Sequence, residues 1–105
     1  MSTAAELATS LPEIITEQVP GPKSKELLDR RDAAIPQALC GKTYPICIKQ
    51  GAGAMFEDLD GNKILDWVGG VGVLNIGYSH PEVVEAVKEQ AEKYFHIIFN
   101  VYVHE

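Results

Sequence analysis

Two hydrophobic periods divide this sequence. Starting at Pro22 or Ser24, Leu27, Leu28, Arg31, Ala34 and Ile35 recur at three- and four-residue steps, and Pro36 stops the pattern, which predicts a short helix. A period of two follows, in residues 44–50, 53–59 and 62–68: Ile46 and Ile48 alternate with Cys47 and Lys49, and Met55 with Phe56 and Glu57. Asp60-Gly61 separates the second run from the third and favours a tight hairpin turn, so the three strands are expected to form a small antiparallel meander with one face on a core. Gly51 and Gly53 read as connection residues within it.

The helical period returns after Ser79. Val83, Val84, Val87, Ala91, Tyr94 and Phe95 make one apolar stripe, with Glu82, Glu85, Lys88, Glu89, Glu92 and Lys93 around most of the rest. Ser79-x-x-Glu82 fits a capping box, Pro81 suits a first turn, and Glu85 with Lys88 or Glu89 with Lys93 can pair on the wet face. Beyond this helix the chain stays strongly apolar through Phe95, Ile97, Ile98, Phe99, Val101 and Val103 and ends without a polar tail, so it reads as an interrupted domain that would self-associate through uncovered surface. Residues 1–20 show neither period and are closed by Pro20, Gly21 and Pro22; they are expected to be an irregular leader, ordered only by docking.

Composition narrows the functions. The chain has 105 residues, enough for one core or part of one, and the mixture is globular. A net charge of -6, with no basic run beyond Arg30-Arg31, makes nucleic acid or an anionic membrane an unnatural partner. With no signal-like start and no spanning stretch, a cytoplasmic address is expected. Cys40 and Cys47 match neither a redox pair nor a zinc half-site, and His80, His96 and His104 form no ligand pattern, so no metal is expected.

Glycine concentrates in residues 66–77, at Gly69, Gly70, Gly72 and Gly77. Two phosphate-binding motifs come near and fail: Asn75 stands where a dinucleotide fingerprint needs its third glycine, and Tyr78 stands where a P-loop needs its lysine. The glycines then either let the backbone turn between strand and helix or let it approach a ligand closely, and pattern alone leaves both open.

The pieces also stand in a recognisable order. "GPKSKELLDRR" followed by "GAMFEDLDGNKILDWVGGVGVLNIGYSHPEVVEAVKEQAEKYFH" resembles the beginning of the class III (omega) aminotransferases, and most of all the 4-aminobutyrate aminotransferases, over residues 21–105. The resemblance implies an α/β fold, the N-terminal part of a fold type I pyridoxal-phosphate enzyme, incomplete as a domain, with residues 21–105 leading from the small domain towards the large one. It implies pyridoxal 5′-phosphate as cofactor, a homodimer, an omega-amine such as 4-aminobutyrate as amino donor and 2-oxoglutarate as acceptor. Val71 stands where these enzymes usually place an isoleucine that lines the substrate pocket, and Asn100 at a glutamine position near the substrate. Gly69, Gly70 and Gly72 would bring the loop close to that pocket. Tyr78 departs from a common histidine, and His104 from a tyrosine before the matching Glu105. The family's cofactor-binding and catalytic groups match no position here, so no catalytic or cofactor-binding residue is expected, and the chain is expected to be inactive alone. The alternative is a non-catalytic interaction module descended from such an enzyme; a small nucleotide-binding protein rests only on the failed P-loop.

Overall fold

A computed structural model describes residues 3–36, 38, 44–98 and 101–103. Its elements run α1 (Ala4–Thr9), α2 (Pro22–Ala34), β1 (Ile48–Ala52), β2 (Met55–Asp58), β3 (Lys63–Leu65), a single turn α3 (Gly69–Gly72) and α4 (Pro81–Lys93). The strands form the expected antiparallel meander, in the order β1-β2-β3. Gly51 lies opposite Phe56 and Ala52 opposite Met55; Met55 in turn faces Leu65 and Phe56 faces Ile64. Strand β1 starts later than expected, and its register slips between Ile48 and Gln50, which leaves Lys49 in a bulge. Gly51 is therefore a strand residue and not a connection.

The expectation of a sheet with one covered face fails at β2. All four of its residues are buried, because it is the middle strand and both of its faces are covered. On one face Met55 packs with Leu7 and Ala52 in a small core, against which Leu65 leans; on the other lies Phe56, with Tyr78 edge-on to it, ring centroids 6.5 Å apart.

Leu7 also corrects the reading of the leader as irregular. Residues 4–9 form a helix because Thr3 and Glu6 make a full capping box, the Thr3 hydroxyl accepting from Glu6 N and the Glu6 carboxylate accepting from Thr3 N. A helix of six residues is marginal in water, so its order comes from Leu7, which is wholly buried against β1 and β2. Further on, Glu13 and Lys63 exchange backbone hydrogen bonds of 2.8 Å in both directions, which lays the leader along β3.

The β2–β3 turn ties these parts together. Asp58, wholly buried, accepts from Asp60 N, Asn62 N and the Asn62 amide, while Asn62 Oδ1 accepts from Ile15 N, Thr16 N and the Thr16 hydroxyl. Asp60 reaches the start of α2, accepting from Lys23 N at 2.8 Å and Ser24 N at 2.9 Å, a cap supplied from another element because Gly21 has no side chain to offer.

Helix α4 starts one residue later than the capping box requires. His80 occupies the N-cap without a side-chain cap, Ser79 is left-handed at φ 52°, and Glu82 falls at the second helical position instead of the third, so the Ser79–Glu82 box does not form. Glu85 and Lys88 do pair, at 3.2 Å. No residue of α4 is buried, and Val83, Val84 and Val87 are exposed. The radius of gyration is 17.2 Å, against about 13 Å for a compact domain of roughly this length.

Candidate functional site

The glycine-rich stretch leaves the sheet at Asp66 and returns to it at Tyr78. At one end Asp66 N donates to Ala54 O at 2.9 Å; at the other, Gly53 and Tyr78 pair backbone to backbone, at 3.1 and 2.7 Å. Between them the chain turns with the opposite hand to an ordinary helix. Gly69, Gly70, Val71 and Gly72 have φ of 57°, 62°, 66° and 78°, and Gly72 N and Val73 N donate to Val68 O and Gly69 O. Glycine accepts this region freely, but a β-branched residue does not, and holding Val71 there costs about 1–3 kcal/mol. The turn resolves the open question about the glycines in part: three of them serve a backbone conformation that L-residues avoid.

Asp66 holds the start of the turn. Its Oδ1 accepts from Val68 N and Gly69 N, at 2.9 and 3.0 Å, and its Oδ2 from Gly70 N at 3.1 Å and from the Tyr78 hydroxyl at 2.7 Å. The Tyr78 hydroxyl, against the opposing effect of partial burial and with help from the three N–H groups, holds the Asp66 carboxyl below the usual carboxylate range. The same bond, with desolvation and the nearby negative charge, pushes the Tyr78 phenol up to about 12. Converging backbone N–H groups of this kind can hold a phosphate, but here a carboxylate of the chain itself fills the place.

Beneath the turn lies an apolar concavity of about 420 Å³ on the outer face of the sheet, lined among others by Ile48, Phe56, Ile64, Trp67, Gly70 and Val71, with Asp66 and Tyr78 at its polar edge. Val71 stands at this rim with 85 % of its surface exposed, while Gly69 and Gly72 flank it in the turn. Of the residues expected near a substrate, the structure thus brings Val71 and the three glycines together. Asn100, His104, Glu105 and Cys40 lie outside the described residues. Asp66 and Tyr78 were not among the expected site residues; Asp66-x-x-Gly69, an acidic residue just ahead of a glycine turn, was the available signal.

A pyridoxal-phosphate site needs a lysine amine for the Schiff base and donors for the phosphate. None of the described lysines lines the concavity: Lys25 is engaged with Asp29, Lys49 with Glu57, Lys63 with Glu13 and Lys88 with Glu85. The described residues do not fit the cofactor by themselves. Among them, too, no three His, Cys, Asp or Glu side chains gather as a metal site, and no helix is long and apolar enough to cross a membrane. Cys47 is a free, half-buried thiol whose Sγ lies 3.5 Å from Ser24 O.

Comparison with known proteins gives the family. The class III aminotransferase family matches residues 38–105. The 4-aminobutyrate aminotransferase of Mycobacterium leprae is 41% identical over 87 residues, which cover 83% of this chain and 19% of that protein. An alanine/serine racemase of Pyrococcus horikoshii is 40% identical over 81 residues, 77% of this chain and 17% of that one. Among solved structures, acetylornithine aminotransferase from Elizabethkingia anophelis superposes with a TM-score of 0.70 over 78% of this chain and 21% of that one, at 24% identity, a likeness of fold. The chain spans less than a fifth of the length of these two relatives, and it belongs to the class III aminotransferases.

Proposed function

We propose that this chain contributes one wall of the substrate pocket of a pyridoxal-phosphate-dependent transaminase, which moves an amino group from 4-aminobutyrate or a similar omega-amine to 2-oxoglutarate. The observation that carries the reading is Val71, an exposed apolar side chain held in a left-handed turn over an apolar concavity. Strain of this kind persists where surrounding structure imposes it, and it gathers at ligand sites. An apolar wall suits the methylene chain of an omega-amine, which offers no hydrogen bonds along its length. The cofactor supplies the electron sink for amino transfer; Val71 and Gly70 supply shape. The Schiff-base lysine, the phosphate donors and the catalytic groups lie, in this proposal, on residues other than the 105 here, and the chain alone is inactive. The homodimer and the cytoplasmic setting belong to the same proposal.

Relatives of nearly equal identity include both an aminotransferase and a racemase, so the test must separate amino transfer from racemisation. The native protein is supplied in turn with 4-aminobutyrate, 5-aminovalerate, alanine and serine, with 2-oxoglutarate present, and both glutamate and the enantiomers of the amino acids are measured. The expected result is glutamate from the omega-amines. Interconversion of L- and D-alanine or serine without glutamate would overturn the reading.

A further inference from the structure

The turn that carries Val71 has few means of holding its shape. Val71 is 85 % exposed, and the glycines on both sides of it are free to take other conformations. Besides the backbone bonds to Val68 O and Gly69 O, what opposes relaxation is one carboxylate. Asp66 gathers Val68 N, Gly69 N, Gly70 N and the Tyr78 hydroxyl, and of these four donors the hydroxyl makes the shortest bond, 2.7 Å.

Tyr78 is itself well seated on the sheet. Its backbone is paired with Gly53 on both sides, and its ring stands edge-on to Phe56 at an interplanar angle of 80°. Its ring also lies so close over Gly51 that a Cβ there would come within 2.7 Å of it. The hydroxyl is therefore a fixed point on the sheet to which Asp66, and through Asp66 the turn, is fastened. The raised ionisation of Tyr78 fits such a bond, since a tyrosinate would repel the carboxylate that it now donates to.

We propose that Asp66 and Tyr78 are positioning residues that hold Val71 over the concavity, so that they govern the fit of the amine donor without touching it. The proposal rests on the reading of Val71 as substrate wall. The side chains act in series: Tyr78 fixes Asp66, Asp66 fixes the first three amides of the turn, and the turn presents Val71. Loss of the Tyr78 hydroxyl leaves the ring and its packing in place but frees the carboxylate from its anchor to the sheet.

The native enzyme is compared with Val71→Ala, Tyr78→Phe, Asp66→Asn and the double variant Val71→Ala/Tyr78→Phe, and KM and kcat are measured for the omega-amine. Tyr78→Phe is expected to raise KM about tenfold, the order of one hydrogen bond to a charged group, with kcat within about twofold. Because Tyr78 acts through Val71, the double variant should be little worse than Val71→Ala alone, a non-additivity that general destabilisation would not produce. If Val71→Ala raises KM while Tyr78→Phe leaves it unchanged, or if the two effects simply add, the positioning role is overturned and the wall survives. If Val71→Ala has no effect on KM for any amine, the wall is wrong and the positioning role falls with it. Tyr78→Phe decides the matter even if Asp66→Asn fails to fold.

Discussion

The β2–β3 turn and helix α4 treat their residues in opposite ways. At the turn, polar side chains are buried and spent on partners far away in sequence: Asn62 binds Ile15 and Thr16, and Asp60 caps α2 at Lys23 and Ser24. Leader, α2 and sheet are thereby locked into one body around Leu7, Ala52 and Met55. Helix α4 has the better amphipathic pattern and buries nothing, its hydrogen bonds satisfied within itself and its valines in solvent. The difference teaches that hydrophobic patterning shows which face of a helix is meant to be covered, whereas long-range polar capping shows where the chain has found its own partners. The glycine turn lies between the two, fastened to the sheet at Asp66 and Tyr78 and leading outward to α4.

The largest effect is expected at the centre of the locked body. Leu7→Ala removes the only wholly buried large apolar side chain among the described residues, and it should cost about 2–5 kcal/mol, read as a drop in the denaturant midpoint. It would also release α1, whose capping box alone is too little to keep six residues helical in water. An unchanged midpoint would show that the leader does not belong to the body described here.

A smaller effect belongs to Asp60. Burial pushes its carboxyl up, but hydrogen bonds from Ser24 and Lys23 outweigh this and leave it below its ordinary value of 3.8. The folded pKa is the lower one, so its contribution is full above about pH 4 and is lost as pH falls through the depressed value. Asp60→Ala should cost about 1 kcal/mol at neutral pH, the usual worth of a helix cap, and should flatten the acid limb of the Tm against pH curve. Asp60→Asn should keep part of the cap and lose that share of the pH dependence. An acid limb that neither variant alters would place the acid sensitivity elsewhere.

Much of the locked body was legible, and the reasons it was not all legible are physical. Helix α2 and the meander announce themselves by period, and Asp60-Gly61 by turn chemistry, because those signals are local. The burial of β2 on both faces was hidden, since carboxylates are rarely buried unless paired; Asp58 is buried because Asn62 satisfies it, and Glu57 because Lys49 and Gln50 meet it. Gly51 read as a connection because nothing nearby in sequence reveals that the Tyr78 ring will lie on it. At the site, the family resemblance led to Val71 and the glycines, but not to the hand of the turn, which a valine disguises. Nor did it lead to the Asp66–Tyr78 bond, whose partners are twelve residues apart. Periods and turns are properties of neighbours, whereas polar satisfaction depends on the finished fold.

The smallest expected effect is the one that most directly tests the comparison. Val87 lies on the apolar stripe of α4 with 62 % of its surface exposed, so Val87→Ala should shift stability by no more than about 0.5 kcal/mol, with a slight gain possible from the better helix propensity of alanine. The measurement is the denaturant midpoint of both forms at two protein concentrations differing by a factor of about 100. A loss of 1 kcal/mol or more, independent of concentration, would mean that other residues of the same molecule cover the stripe in solution. A loss that grows with concentration would mean that a second molecule covers it, which would bear out the expected self-association. In either case the contrast with the turn would change: the stripe of α4, left exposed by the described residues, would be one covered from beyond them, by partners apolar where those of the turn are polar.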